Sequence, residues 1–347
     1  MRLGIAPAIL ALRSTFTIFA KCKKILTRIG GFKKQSMKIV AFYGKATRLV
    51  KQAQFEELLD AVGAAWSGPV KAGFFFAKDL AERLRRDFPE LAARYLKGDE
   101  NVFGDILPSE TDLLVCLGGD GTMLDTLPLV QDSGIPVLGI NFGRLGFLNA
   151  INADRIQSLL QPGFIERFHK ERRLLLEVGD FEFLSRDTIT VPSQMPYALN
   201  EAAVVKSENE SLVLLDVLVD GQFMNTYYGD GVLFSTPTGS TAYSLSCGGP
   251  ILTPSADNIL ITPMASHTLT VRPLIIEGYQ EITVKAKGTE HCRLLLDSKV
   301  YELAGPFSFK IRKAGFKFIT VYPPERNFFD AIREKLMWGL DIRHRRQ

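Results

Sequence analysis

From residue 37 onward, short apolar runs alternate with stretches whose apolar residues recur every three or four positions. "KIVAFY" at 38–43 reads as a strand, and residues 49–62 read as a helix carrying Leu49, Phe55, Leu58, Leu59 and Val62 on one face. "VKAGFFF" predicts a second strand and "AKDLAERLRRDF" the helix after it. "DLLVCLG" at 112–118, helical "TMLDTLPLVQ" and then "IPVLGINFG" continue the rhythm. Strands alternating with helices imply βαβ units and a parallel sheet covered on both faces. Ligands of such sheets bind beyond the carboxyl ends of the strands, where residues 118–122 and 141–147 fall.

After about residue 170 the rhythm changes. "RRLLLEVG", "FEFLS", "LNEAAVVKS", "LVLLDVLVDGQFMNTY", "GVLFSTP", "TLTVRPLIIEG", "EITVKAKG", "RLLLDSKVYEL", "FSFKIRKAG" and "KFITVYP" are closely spaced, β-rich and separated by Gly, Pro, Asp or Asn turns. They predict an all-β domain of sandwich type. "FFDAIREKLMWGL" at 328–340 predicts a terminal helix that docks through Phe329, Ile332, Leu336 and Trp338. The expected division is an α/β domain over 37–168, to which 325–345 return, and a β-sandwich domain over 169–324.

Composition changes this picture little. The chain has 347 residues, 46% hydrophobic and 23% charged, enough for two domains with real cores. No apolar run approaches the roughly 20 residues of a membrane span, because Arg13 splits the best candidate at 3–20. Cys22, Cys116, Cys247 and Cys292 lie far apart without CxxC spacing, which points away from zinc or a disulfide framework and toward a reducing, cytoplasmic setting. Charge is more informative. Residues 1–36 hold eight Lys and Arg and no acid, so against +4 for the whole chain the remainder is slightly acidic. Such a body is not a nucleic-acid binder by charge. The basic leader reads as an upstream-extended start or a disordered segment, with a targeting segment or a peripheral helix as alternatives.

The candidate chemistry begins at "GGDGT", residues 118–122. Gly118, Gly119 and Gly121 can take positive φ and let backbone amides approach phosphate oxygens at the start of a helix. A carboxylate in such a turn would repel phosphate. Asp120 is therefore read as a proton acceptor from an attacking hydroxyl or as a metal partner, with a helix-capping Asp as the bland alternative. Thr122 serves either as helix N-cap or as a phosphate donor. Residues 228–246, "YGDGVLFSTPTGSTAYSLS", gather seven Ser and Thr residues with Asp230 around turn-forming glycines. At that density hydroxyls and amides can bind ribose, amide or phosphate groups, or simply satisfy their own backbone. Asn200 and Glu201 open an apolar strand, and "NFGRLGFLNA" at 141–150 supplies another loop, with Arg144 and Phe147 exposed to a nucleotide or packed in the core.

Taken in order, GGDGT at 118–122, NFGRLGFL at 141–148, Asn200-Glu201, and GDG followed by STPTGSTAY at 229–243 resemble the NAD kinase family over residues 37–340. GGDGT alone is shared with diacylglycerol and sphingosine kinases and with phosphofructokinases, whereas the STPTGSTAY segment is highly specific. The resemblance implies phosphorylation of the 2′-hydroxyl of the adenosine ribose of NAD to give NADP, with ATP and a divalent metal, usually magnesium. It implies a Rossmann-like α/β N-terminal domain, a C-terminal β-sandwich with the active site between them, and a homodimer or homotetramer. By the resemblance Asp120 is the general base, while the chemistry of the turns themselves offers Gly118, Gly119, Gly121 and Thr122 as the phosphate loop and Arg144 as a base that meets ATP or phosphate. Asp120, Gly121, Phe147, Asn200, Glu201, Asp230, Thr238, Thr241, Ala242, Tyr243 and Ser246 contact the dinucleotide, with Leu148 also on its wall. No direct protein ligand to the metal is assigned, and neither nucleic acid nor membrane is expected as a partner. The family often has Asp-Gly-Gln where this chain has Asp297, Ser298 and Lys299, a departure that touches local contacts, donor handling or regulation.

Two other classes compete. A lipid-type kinase sharing only the glycine turn would need a wide apolar groove and a membrane face, and leaves STPTGSTAY without a role. A non-catalytic dinucleotide sensor has no use for a carboxylate beside the ribose. His169, His267, His291 and His344 form no metal-spaced cluster, and Cys116 and Cys247 read as packing residues.

Overall fold

The computed structural model describes residues 38–45, 52–64, 72–143, 146–152, 156, 164–183, 195–208, 210–288 and 291–338. The basic leader, Arg144 and His344 lie outside the described residues. The first strands are β1 (Lys38–Gly44), β2 (Ala72–Ala77), β3 (Val102–Phe103), β4 (Thr111–Leu117), β5 (Val137–Asn141), β6 (Ile151–Asn152) and β7 (His169–Arg173). They are followed by β8 (Leu176–Phe183), β9 (Tyr197–Ala198), β10 (Glu201–Lys206), β11 (Val213–Val219), β12 (Gln222–Gly229) and β13 (Gly231–Ser235). The series ends with β14 (Asn258–Met264), β15 (Leu274–Glu277), β16 (Ile282–Ala286), β17 (His291–Leu296), β18 (Lys299–Ala304), β19 (Phe307–Lys313) and β20 (Phe318–Tyr322).

The first sheet has the order β3-β2-β1-β4-β5-β20-β7, with β6 also on β5. Its strands are parallel except for the β20–β7 pair. Central strands of such a sheet are covered on both faces and must be apolar throughout. Accordingly Val40, Ala41 and Phe42 of β1 and Leu113 to Leu117 of β4 are all buried. Helix Gln52–Gly63 presents Phe55, Leu58, Leu59 and Val62 to this core, and helix Lys78–Asp87 presents Leu80, Ala81 and Leu84. The expected helix after the glycine turn is broken into Asp120–Leu124 and Leu127–Val130. Pro128, which has no N–H to donate to the preceding turn, sits at the break.

Two six-stranded antiparallel sheets, β15-β14-β13-β10-β17-β18 and β12-β11-β16-β19-β8-β9, face each other across a second core that includes Ala202, Val204, Leu215, Phe234, Leu294 and Phe309. The β11–β12 hairpin turns on Asp220 and Gly221, both at positive φ, as a two-residue turn of right-handed strands requires. Strand β14 is not among the expected strands, because Pro263 near its end weakens the strand signal. Strands β7 and β20, which the rhythm of the sequence groups with the β-rich half, lie in the first sheet. An apolar strand pattern carries no mark of which sheet it joins, and Phe318, Thr320 and Val321 are buried just as a strand between β5 and β7 must be.

The terminal helix spans Phe328–Leu336, opened by an Asn327–Asp330 capping box. It docks through Ala331 and Ile332, while Phe329 and Trp338, expected to pack, are each 58% exposed. Within a helix, Ala331 and Ile332 already define the inward stripe, and Phe329 lies off it. Phe328 and Lys335 reach back to the ring of Phe147, with centroid and ammonium distances of 6.4 and 5.8 Å.

Candidate active site

Strand β4 ends at Leu117 and delivers Gly118 and Gly119 directly into the helix that begins at Asp120. Gly118 takes the positive φ expected, at 158°, and a Cβ there would meet Thr122 Oγ1 at 2.3 Å, whereas Gly119 is at φ −87° and ψ −171°, an extended conformation open to any residue. Nothing within 4 Å would oppose a Cβ at Gly119 or Gly121, so this stretch of backbone is uncovered. Thr122 is not the N-cap, since Gly119 holds that position without a side-chain hydrogen bond, and Asp120 does not cap the helix either.

The Asp120 carboxylate turns instead toward the loop after β5. Its Oδ2 accepts from the Phe147 amide at 2.9 Å, and its Oδ1 accepts from the Leu148 amide at 3.1 Å and Asn149 Nδ2 at 2.9 Å. The loop lies so close that a Cβ on Gly146 would sit 1.7 Å from Asp120 Oδ1, which only glycine avoids. Leu148 points its side chain into the α/β core and is 3% exposed, so only its backbone faces Asp120 and its expected place on a ligand wall is not realised. Asn149, fully buried, is a contributor that sequence reasoning missed; its only signal is its place directly after GFL.

The second constellation assembles at the start of β10. Alternation along the strand sends Ala202 and Val204 into the sandwich core, leaving Glu201, Ala203 and Val205 for the opposite face. The segment after β13 covers that face, and it comes so near that a Cβ on Gly239 would meet the Asn200 carbonyl at 2.1 Å. That carbonyl accepts from the Thr236 amide at 2.9 Å. From the β17–β18 turn, Asp297 accepts from the amides of Leu199, Asn200 and Glu201 at 2.8, 2.8 and 3.1 Å. Asp297 thus builds the Asn200–Glu201 turn.

Glu201 Oε2 and Thr238 Oγ1 are buried and have no hydrogen-bond partner among the described residues. Buried polar atoms are rarely left so, and two in adjoining segments mark a surface shaped for a polar ligand. Burial lifts the Glu201 carboxyl to about 8, with Asp297 adding to the shift and the Tyr243 amide opposing it. Burial also lifts Asp297, to about 6, against the amides it accepts from and Lys299.

Two cavities flank these groups. One of about 520 Å³ is lined by Lys206, Asp230, Tyr243, Ser246, Cys247 and Arg293, and Asp230 is ion-paired to Lys206 at 3.0 Å. Thr241 and Ala242 lie in the turn just before, with Thr241 Oγ1 donating to the Thr238 carbonyl at 3.2 Å. The larger, about 1050 Å³, opens at the carboxyl ends of β1 and β2 and runs from Lys45, Lys78 and Asp125 to Asp297, Ser298 and Lys299. Lys45 is paired to Asp125 at 2.6 Å, and Lys78 and Lys299 make no ion pair among the described residues. No cluster of three His, Cys, Asp or Glu suited to hold a metal occurs among the described residues. No helix among them is long and apolar enough to cross a membrane. Cys116 is buried in β4 with its thiol pushed up by burial, as a packing residue should be.

The raised Glu201 value has a consequence for stability. Below its unfolded pKa near 4.5 the carboxyl is neutral in both states; as pH rises toward about 8 its ionisation increasingly favours the unfolded chain. Glu201→Gln removes this penalty. Its stability relative to the unmodified protein is expected to rise by about 2–4 kcal/mol between pH 4.5 and 8, at roughly 1.4 kcal/mol per pKa unit. Urea unfolding across that range measures it, and a pH-independent difference would contradict the burial argument.

Residues 77–166 match the family model for the ATP-NAD kinase N-terminal domain, and residues 199–321 match that for the C-terminal domain. An NAD kinase of Flavobacterium psychrophilum is 39% identical over 69% of this chain and 80% of its own length. One from Flavobacterium johnsoniae is 38% identical over 78% of this chain and 86% of its own. Among solved structures, yeast NADH kinase complexed with NADH superposes with a TM-score of 0.72 at 26% identity, covering 89% of this chain and 90% of that one. An NAD kinase from Archaeoglobus fulgidus in complex with ATP, at 22% identity, shares the fold with a TM-score of 0.59 over 86% of this chain and 99% of that one. The chain belongs to the NAD kinase family and is an enzyme that phosphorylates NAD.

Proposed function

We propose that the enzyme transfers the terminal phosphoryl group of ATP to the 2′-hydroxyl of the adenosine ribose of NAD, with Asp120 as the general base. The observation that carries the reading is the hydrogen bonding of Asp120. A carboxylate offers about four lone-pair positions, and three are taken by Phe147, Leu148 and Asn149. The open position, on Oδ2, is where a substrate hydroxyl docks. That hydroxyl is a poor nucleophile until a carboxylate accepts its proton, a contribution typically of about 10²- to 10⁴-fold in rate.

The dinucleotide is read as lying along Asn200, Glu201, Thr238, Thr241, Ala242, Tyr243 and Ser246, with Asp230 at the smaller cavity. The unpartnered Glu201 Oε2 and Thr238 Oγ1 support this, because a ribose or amide supplies the partners they lack. The larger cavity is read as the donor site. Its nearest wall, Leu124, Asp125 and Leu127, lies within two turns of Asp120, and its lysines suit a triphosphate. Among the described residues no three carboxylates gather on its wall to hold a metal and Asp125 is paired to Lys45, so magnesium would take one carboxylate there, Asp79 or Asp105, and its remaining oxygen ligands from the donor phosphates. Bound, the ion supplies charge neutralisation at the phosphoryl oxygens. Phe147 is read as a ribose-facing surface through its backbone more than its ring, which Phe328 and Lys335 approach.

Asp120→Asn is expected to lower kcat by at least about 10²-fold while NAD affinity stays within about threefold. A coupled assay with an NADP-specific dehydrogenase and calorimetric titration of NAD read the two quantities. Turnover within tenfold of the unmodified enzyme would sink the base assignment, and loss of NAD binding would shift the role to substrate contact. Gly146→Ala forces the carboxylate off its three donors and is expected to cost about 10²-fold in kcat, the usual effect of a displacement near 1 Å. Unchanged kcat in that variant would show that the orientation of Asp120 is immaterial.

A further inference from the structure

The loop that holds Asp120 is itself held from outside the α/β half of the sequence. Arg326 Nη2 donates to the Gly146 carbonyl at 2.8 Å, and the Tyr322 hydroxyl donates to the Leu148 carbonyl at 3.1 Å. The Gly146 carbonyl belongs to the same peptide unit as the Phe147 N–H that binds the carboxylate, and the Leu148 carbonyl directly precedes Asn149, whose side-chain Nδ2 binds it. Since the peptide unit is planar, fixing its oxygen fixes the direction of its N–H. The Gly146–Phe147 peptide therefore carries a hydrogen bond at both ends, Arg326 on the oxygen and Asp120 on the nitrogen.

Arg326 is well placed for this. Its own amide donates to the Pro323 carbonyl at 3.1 Å, and the next residue, Asn327, caps the terminal helix. Its guanidinium lies 5.3 Å over the Tyr322 ring, whose hydroxyl also accepts from buried Arg173 at 2.8 Å. The groups facing it are Phe147, Glu171, Arg173, Tyr322, Asn327 and Phe328; burial lowers its pKa, with Arg173 adding to the shift and Tyr322, Asp120 and Glu334 opposing it. A guanidinium on a peptide oxygen also polarises that peptide and strengthens the N–H bond on its far side.

We propose that Arg326 is a positioning residue for phosphoryl transfer: through the Gly146 carbonyl it fixes the peptide whose amide aims the Asp120 carboxylate, while Tyr322 anchors the same loop at the Leu148 carbonyl. The inference rests on Asp120 being the base, and it assigns the segment between β20 and the terminal helix a part in the reaction. Arg326 touches neither substrate in this account, so its removal lowers kcat and leaves the KM for NAD and for ATP in place.

The test uses the full chain with Arg326→Met, Arg326→Lys and Tyr322→Phe, each alone and combined with Asp120→Asn. Arg326→Met is expected to lower kcat about 10- to 100-fold with both KM values within about threefold. Arg326→Lys, which keeps a charged donor, is expected to recover to within about fivefold of the unmodified enzyme, and Tyr322→Phe to lose about three- to tenfold. In the Asp120→Asn background, both Arg326→Met and Tyr322→Phe are expected to change the residual kcat less than about twofold, because the group they orient is gone. Equal losses in both backgrounds would overturn the proposal in favour of a structural role, and a raised KM for ATP at constant kcat would make Arg326 a substrate contact. If Arg326→Met does not fold, Tyr322→Phe, which keeps the ring, carries the same cycle. Full turnover in Asp120→Asn alone would instead overturn the reading on which this one rests, and the two failures are therefore told apart.

Discussion

A carboxylate in a glycine turn must be neutralised by donors, and in this enzyme all three come from one loop 27 to 29 residues away in sequence. That constraint shapes much of the α/β half. Strand β5 must run beside β4 so that its following loop meets the glycine turn, and the parallel register Leu117 to Ile140 brings both strand ends to the same edge. Gly146 must be glycine, Asn149 must be buried beside Met123 and Gly139, and the loop's carbonyls, turned away from Asp120, need partners of their own. Tyr322 at the end of strand β20, which is inserted between β5 and β7, and Arg326 in the segment after it supply them. Charge-assisted hydrogen bonds are roughly twice as strong as neutral ones, so the carboxylate organises the loop as much as the loop organises the carboxylate.

The sandwich answers a different need. Asn200 and Glu201 have to be presented at a strand end with their backbone saturated and their side chains available. Asp297 accomplishes the first by accepting three consecutive amides, from a φ of 52° that Asp tolerates better than most residues. Packing of β10 on both faces accomplishes the second, since the segment after β13 lies over Glu201 and excludes water from it. The outcome is a carboxyl held in a low-dielectric setting that costs stability as pH rises. Such a cost is tolerated where a ligand repays it by supplying the missing hydrogen bonds.

Much of this was legible from residue order, and the limits are physical. The alternation of strands and helices was visible because central parallel strands are apolar on both faces, as β1 and β4 are. The sheet joined by β20 was not, because "FITVY" reads identically in either sheet. GGDGT marked Asp120, and the expected reason for its glycines holds at Gly118 but not at Gly119 and Gly121, which leave backbone uncovered, whereas the glycine on which the Asp120 contacts depend is Gly146. Phe329 and Trp338 looked like docking residues because helical spacing names a face without saying how wide the contact is. Arg326 carried no signal at all, since its role depends on two segments 180 residues apart meeting through one carbonyl.

The charge pattern of the donor cavity follows from the same logic of local compensation. The body of the chain is slightly acidic, so a triphosphate is not drawn in by the overall field. Lys45 is already committed to Asp125, which leaves Lys78 from the α/β half and Lys299 from the sandwich on the cavity wall. Lys299 stands two residues after Asp297, in the turn where this chain departs from the pattern it resembles. The hairpin that builds the Asn200–Glu201 turn therefore also carries a cation into the proposed donor site, and one short turn couples the geometry on the dinucleotide side to the electrostatics on the phosphate side. A substitution in that turn cannot be read as affecting one substrate alone unless Asp297 keeps its three amides.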